Sequence, residues 1–289
     1  MGATVVRRQV VVGDVRSPVL VGEHAGGGLR EAVVFVHGNP GSAADWRPLL
    51  ESVSEHAAVV APDMPGFGGA EKRRDMDYTV AGYADHLGGI IDALGVERIH
   101  LVAHDFGGPW SLTWAAANVD RLASVSLLNT GVLLDYQWHR MARIWRTPLI
   151  GEIFQASATA ALTRALLAHD NPGLDRSWVE HLAAIFSPWG TKRAILELYR
   201  STTPAMMDRL VAPLSTKDIP CQVIWGNHDV YLPIEQAQRQ REPFPSAQVH
   251  VIDGAGHWVW LERPQQVTDL LLPFLHRHLA TSHATGSDR

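Results

Sequence analysis

The segment Leu101-Val-Ala-His-Asp-Phe-Gly-Gly108-Pro-Trp110 ends an apolar run on one polar residue, follows it with glycines, and resumes as a helical pattern. That layout describes a sharp strand-to-helix turn, which holds one side chain clear at the top edge of a sheet. Glycine is expected at 107 because a Cβ would clash in so tight a turn. Ala103 stands where the usual pattern has a first glycine, and alanine is also small. The centre of the turn, where serine is usual, is Asp105. A carboxylate is already ionised at pH 7 and needs no base to make it a nucleophile. Displacing a leaving group from a saturated carbon, it forms an ester, whose carbonyl an activated water can then attack. Serine in the same reaction would form an ether that water cannot cleave. Aspartate therefore points to alkyl rather than acyl transfer. The competing reading of Asp105 is a serine site that has lost its activity, or a structural cap.

The water needs a base and the base needs an orienting carboxylate. Among fifteen histidines a lone one carries little weight. His257 stands out because Gly254-Ala-Gly-His-Trp258 is a glycine-rich turn between the final strand and the closing helix. Gln222–Trp225 leads into Gly226-Asn-His-Asp229, which puts Asp229 at the carboxyl end of a strand, where sites of open α/β sheets collect. The other place for the acid, after the sixth strand, holds Asn129. An oxyanion forming on the Asp105 carbonyl would need main-chain donors, and Phe106 with Asn39 of His37-Gly-Asn-Pro40 would supply them. His37 reads as a brace of that loop, and Asp63 of Pro62-Asp-Met-Pro-Gly66 as a turn residue.

These positions require a mainly parallel sheet with helices on both faces, because strand-length apolar runs alternate with helical patterns. The expected strands are Gln9–Val12, Pro18–Val21, Ala32–Val36, Ala57–Ala61, Ile99–Ala103, Ser124–Leu128, Gln222–Trp225 and Gln248–Ile252. Val80, Tyr83, Ala84, Leu87, Ile90, Ile91 and Leu94 recur at helical spacing, with Gly95 as the stop. A closing helix is expected over about Pro264–Leu279. The rhythm breaks between about Val132 and Pro213. That stretch has helical patterns and no strand, and a loop without its own structure rarely exceeds about 15 residues. It reads as a helical cap over 132–213, inserted between the sixth and seventh strands of a core made of 1–131 and 214–280. Residues 281–289 read as a disordered tail.

Composition narrows the function classes. At 46% hydrophobic, 19% charged and net charge −5, the chain gives no electrostatic case for nucleic acid or an anionic membrane. No signal peptide and no membrane span are expected. The single cysteine, Cys221, excludes an internal disulfide, fits a cytoplasmic setting, and reads as a small buried hydrophobe. No metal or other cofactor is expected, and the oligomeric state stays open.

His37-Gly-Asn-Pro40, His104-Asp-Phe-Gly-Gly108, Trp225-Gly-Asn-His-Asp229 and Gly256-His-Trp258 together resemble the motifs of the epoxide hydrolase and haloalkane dehalogenase branch of the α/β-hydrolase superfamily. The resemblance implies that superfamily's fold, here an eight-stranded sheet with the cap inserted. It also fits the chain order of nucleophile, acid and histidine, 105, 229 and 257. Haloalkane dehalogenases place a tryptophan directly after the nucleophile to hold the halide, and here that residue is Phe106, which has no side-chain donor. Epoxide hydrolases protonate the leaving oxygen from cap tyrosines, and Leu198-Tyr-Arg200 resembles a segment that carries one. Tyr199 is therefore the candidate acid, with a packing tyrosine as the bland alternative. For a second tyrosine only Tyr136 is at hand. Against the epoxide reading, Asn39 matches a dehalogenase halide ligand, and Trp189 could supply a second N–H. The expected function is epoxide hydrolysis to a vicinal diol, with haloalkane dehalogenation as the alternative. A receptor, lyase or oxygenase on the same fold is the third possibility. The expected partner is a small apolar or aromatic organic substrate, touched by His37, Tyr136, Trp189 and Trp258.

Overall fold

The computed structural model describes residues 4–24 and 28–279. Its core is one sheet of eight strands: β1 Val6–Val12, β2 Val15–Gly22, β3 Glu31–Val36, β4 Ala58–Pro62, β5 Arg98–His104, β6 Leu122–Leu128, β7 Cys221–Gly226 and β8 Gln248–Ile252. In space they lie in the order β1-β2-β4-β3-β5-β6-β7-β8. Only β2 runs antiparallel to its two neighbours; the pairings from β4 through β8 are all parallel. The central strands are buried almost end to end because helices cover both faces. Val33 and Phe35 of β3 face one core cluster, and Val34 and Val36 face the other.

The helices that flank this sheet are α1 Arg47–Ser54, α2 Val80–Ala93 and α3 Gly107–Ala117. Then, between β6 and β7, come six in succession: α4 Arg140–Arg146, α5 Ile150–Ser157, α6 Ala160–Asp170, α7 Arg176–Phe186, α8 Trp189–Ser201 and α9 Pro204–Leu214. The last three are α10 Glu235–Arg239, α11 Val259–Glu262 and α12 Pro264–His278. Of the six inserted helices, α8 reaches the carboxyl end of β5, where Tyr199 packs edge-on against Phe106 with ring centroids 4.9 Å apart. His181 of α7 ties the insertion to the short helical turn Ala43–Trp46 after β3 through the buried Asp45, at 2.7 Å. Among the described residues no helix is long and apolar enough to cross a membrane. The tail over 281–289 lies outside the described residues.

Two details of the opening pair differ from the sequence reading. β1 and β2 are longer than the apolar runs suggest. β1 is an edge strand with Val6–Gln9 exposed, so its start shows no apolar signature and is fixed by pairing with β2 from Val6↔Val21 to Val12↔Val15.

Candidate active site

β5 ends at His104 and α3 begins at Gly107, so the turn between them consists of Asp105 and Phe106. Asp105 has φ +50, a conformation that costs energy in a residue with a Cβ. The surroundings hold it there. The Thr130 hydroxyl donates to the Asp105 carbonyl at 2.5 Å, and the Gly108 N–H donates to the same oxygen at 3.0 Å. A Cβ on Gly107 would lie 2.1 Å from the carbonyl oxygen of Val36 and 2.7 Å from that of His37. The backbone of β3 comes that close, and only glycine admits it.

Asp105 is buried, 9% exposed. Its Oδ1 accepts from the main-chain N–H of Asn39 at 2.6 Å, and its Oδ2 is 3.4 Å from His257 Nε2. His257 Nδ1 donates to Asp229 Oδ2 at 2.7 Å. Asn129 also donates to Asp229 Oδ2, at 2.7 Å, while Asp229 Oδ1 accepts from the N–H groups of Tyr231 and Leu232 at 2.8 and 3.0 Å. The structure thus joins Asp105, His257 and Asp229 in one chain of contacts, with Asn129 bracing the acid. The His257 ring lies 4.5 Å from that of His104 and 4.9 Å from those of Tyr231 and Trp258, while its carbonyl accepts from His104 Nε2.

The electrostatics follow from burial opposed by charge. Burial by itself would raise the Asp105 carboxyl. The hydrogen bond and charge of His257, with help from His104 and the Asn39 N–H, outweigh it and hold the group below the ordinary aspartate value. Burial would likewise lower His257, but Asp229 and Asp105 overcome it and raise the imidazole well above an ordinary histidine. The two shifts run in opposite directions because each group favours the charged form of the other, and α3, starting two residues beyond Asp105, adds the positive end of its dipole to the field that favours the carboxylate.

Tyr199 is buried in the roof of this site. Its hydroxyl accepts from Asn39 Nδ2 at 3.3 Å and lies 3.4 Å from His139 Nε2. His139 Nδ1 accepts from the Ala142 N–H, and burial lowers His139 to about 4, so its remaining hydrogen is on Nε2 and is donated to Tyr199. With two donors on its oxygen, the Tyr199 hydroxyl keeps its own hydrogen for a third partner. Arg146 donates to the Tyr199 carbonyl and to that of Thr202, and so fixes the end of α8.

Several other expected contacts are sorted by the geometry. Trp258 lines the cavity beside Asp105, together with Asn39, Tyr199 and His257, and Tyr136 lines a second cavity that also includes Asp105. The Tyr136 hydroxyl is used on the main chain, donating to the Tyr231 carbonyl at 2.9 Å. Trp189 is not brought to the site. It starts α8 with 60% of its surface exposed, outside the lining of either cavity, because the face of α8 that turns inward carries Tyr199. His37 also stays out of both linings: its Nδ1 donates to Gly38 O and its Nε2 accepts from the Met64 N–H, so it braces the loop. Asp63 accepts from the N–H groups of Ala43 and Gly69, as a turn residue does. The sequence reading missed His139, Tyr231 and Asp170, which line the first cavity. Nothing in the local pattern marks them, since each is a single polar residue in a helical or loop segment. Among the described residues no His, Cys, Asp and Glu cluster could hold a metal ion.

A family profile described as alpha/beta hydrolase fold matches residues 31–264. The chain is 29% identical to a 2-hydroxy-6-oxo-2,4-heptadienoate hydrolase of Pseudomonas putida, over 86% of this chain and 90% of that protein. It is 27% identical to epoxide hydrolase 3 of Xenopus tropicalis, over 92% of this chain and 73% of that one. Among solved structures it superposes on a haloalkane dehalogenase of Agrobacterium tumefaciens C58 with a TM-score of 0.79, at 23% identity, over 96% and 97% of the two chains. These similar proteins carry three different activities in their names, so likeness alone does not select one.

Proposed function

The chain belongs to the alpha/beta hydrolase fold family, and within it we propose that this protein is an epoxide hydrolase acting through an ester on Asp105. The observation that carries the reading is the double role of Asn39. Its main-chain N–H is bonded to the Asp105 carboxylate and its side-chain amide to the Tyr199 hydroxyl. One residue thus sets an ionised carboxylate and a free O–H donor side by side in one apolar cavity, which is what opening an epoxide needs.

In the proposed first step Asp105 Oδ2 forms a bond to one ring carbon as that carbon's bond to oxygen breaks. The oxygen stays on the substrate and takes the Tyr199 proton. Alkylation also removes the negative charge of Asp105, one of the causes that raise His257. The imidazolium then gives up its proton more readily, and that proton restores Tyr199 through solvent. In the second step neutral His257, oriented by Asp229, takes a proton from a water that attacks the Asp105 carbonyl carbon. The oxyanion forms on Oδ1, where the Asn39 N–H already sits and where the Phe106 N–H is the proposed second donor. Collapse breaks the bond between the carbonyl carbon and the ester oxygen, His257 returns its proton to the departing vicinal diol, and the proton left on the Asp105 carboxyl passes to His257, which restores the ionised nucleophile. The cap proposed over 132–213 excludes bulk water from both steps.

The haloalkane reading has its own observations. Trp145 and Trp258 line the same cavity as Asn39, and their Nε1 atoms are buried with no partner among the described residues. Against it, Phe106 beside the nucleophile has no donor and Trp189 is remote. His257→Gln should trap the ester, since Asp105 needs no activation but the water does. Intact-protein mass spectrometry should show an adduct of the whole substrate mass with epoxides and none with simple haloalkanes. Adducts from haloalkanes alone, short of substrate by one hydrogen halide, would transfer the assignment to dehalogenation.

A further inference from the structure

Asp105, His139 and Tyr199 belong to the walls of two cavities, which share these three residues. The first extends past Met141, Trp145, Phe154, Leu166 and Phe186. The second is lined instead by Phe106, Leu133, Trp138, Pro204 and Met207. Among the described residues neither is lined by a lysine or an arginine, whereas the Asp170 carboxylate lines the first. The Asp170 Oδ1 is bonded to the exposed His169, and its Oδ2 lies 3.5 Å from the Tyr231 hydroxyl. Arg140 stands only in the outer groove beyond Asp170.

Resting on the epoxide reading above, we propose that the substrate is a neutral epoxide substituted on both ring carbons, its ring at Asp105 and one apolar arm in each cavity. A nucleophile at the junction of two apolar lobes reaches an internal carbon as readily as an end. A terminal epoxide fills one lobe and leaves the other without apolar contact, and a single methylene in such a pocket changes kcat/KM by about 10- to 200-fold. Charge decides the second half of the proposal. The Asp105 charge is already matched by His257, so a carboxylate on a short arm would be desolvated beside Asp170 with no cation to receive it. The arms are therefore uncharged.

Two matched pairs test this with the full chain. The first is 1,2-epoxyoctane against its isomer 4,5-epoxyoctane, where intrinsic reactivity favours the terminal ring and the lobes favour the internal one. The second is 4,5-epoxydecanoate against its methyl ester. The expected kcat/KM is at least about tenfold higher for the internal isomer and for the ester. Met207→Phe, which narrows the second lobe, should reduce the internal-to-terminal ratio about tenfold. Thr203→Leu, on the same wall, replaces it where that variant does not fold. Asp170→Asn should raise the acid-to-ester ratio by about tenfold. A terminal isomer turned over as well as the internal one, or an acid as good as its ester, overturns this assignment while the epoxide reading stands. Failure to open any epoxide overturns the epoxide reading itself, and this one with it.

Discussion

Replacing Asp229 by asparagine separates the two proposed steps. The Asp229 carboxylate accepts four hydrogen bonds, two on Oδ2 from His257 and Asn129 and two on Oδ1 from the main chain of Tyr231 and Leu232. An asparagine can satisfy only one of these pairs. If its oxygen keeps the main-chain pair, its NH2 faces the His257 and Asn129 donors. If the oxygen turns to His257, the NH2 faces two main-chain N–H groups. Either way a buried donor pair is left unmatched, at a cost of about 1–3 kcal/mol of stability. The first arrangement moves the His257 hydrogen onto Nε2, the nitrogen that must take the proton of water. The same replacement behind the histidine of a serine-protease triad lowers kcat about 10⁴-fold. For Asp229→Asn we expect ester hydrolysis to fall about 10³- to 10⁴-fold. Alkylation should fall less than about tenfold, since Asp105 is an ionised nucleophile without its base. Quenched-flow sampling with intact-mass detection measures both rates. A folded variant that hydrolyses within about tenfold of the parent and accumulates no adduct would refute the assignment of Asp229.

Tyr199→Phe should slow alkylation by about 10²- to 10⁴-fold in rapid-mixing experiments, less if His139 donates in its place; unchanged rates on every epoxide return Tyr199 to packing. Asp105→Asn removes one of the two charges that raise His257. The pairing of a raised histidine stabilises the fold fully below its ordinary value of about 6.5 and is lost as pH rises through about 10. In the variant that window should close from its upper end, seen as a lower midpoint for the His257 ring in NMR, and an unmoved midpoint contradicts the coupling. Gly107→Ala should cost at least about 2 kcal/mol in denaturant unfolding, because its Cβ meets the Val36 carbonyl; a neutral outcome would mean that the turn is looser than described.

How far these features were legible varies with their physical origin. The turn at Asp105 was readable because its constraint is local: an apolar strand, one polar residue, and a glycine forced by backbone approach. The order of Asp229 and His257 was readable for the same reason, each following a strand at the sheet's carboxyl edge. The roof was not. Trp189 and Tyr199 lie on one helix, and which of them turns inward is set by how α8 packs, so Trp189 was misplaced and Tyr199 rested on a resemblance. His139 caps the first turn of α4 locally, but it meets Tyr199 across 60 residues, a contact that no local pattern encodes. The double use of Asn39 is equally non-local, joining positions 66 and 160 residues away.

The central claim is that the oxygen delivered to substrate comes from Asp105 and not from water. A single turnover in heavy-oxygen water, with enzyme in excess over an epoxide that it opens, tests this directly. The account predicts first-turnover diol free of label, and label in the peptide that carries Asp105. Label in the first-turnover diol, with none in that peptide, would mean that water attacks the substrate itself and would contradict the account.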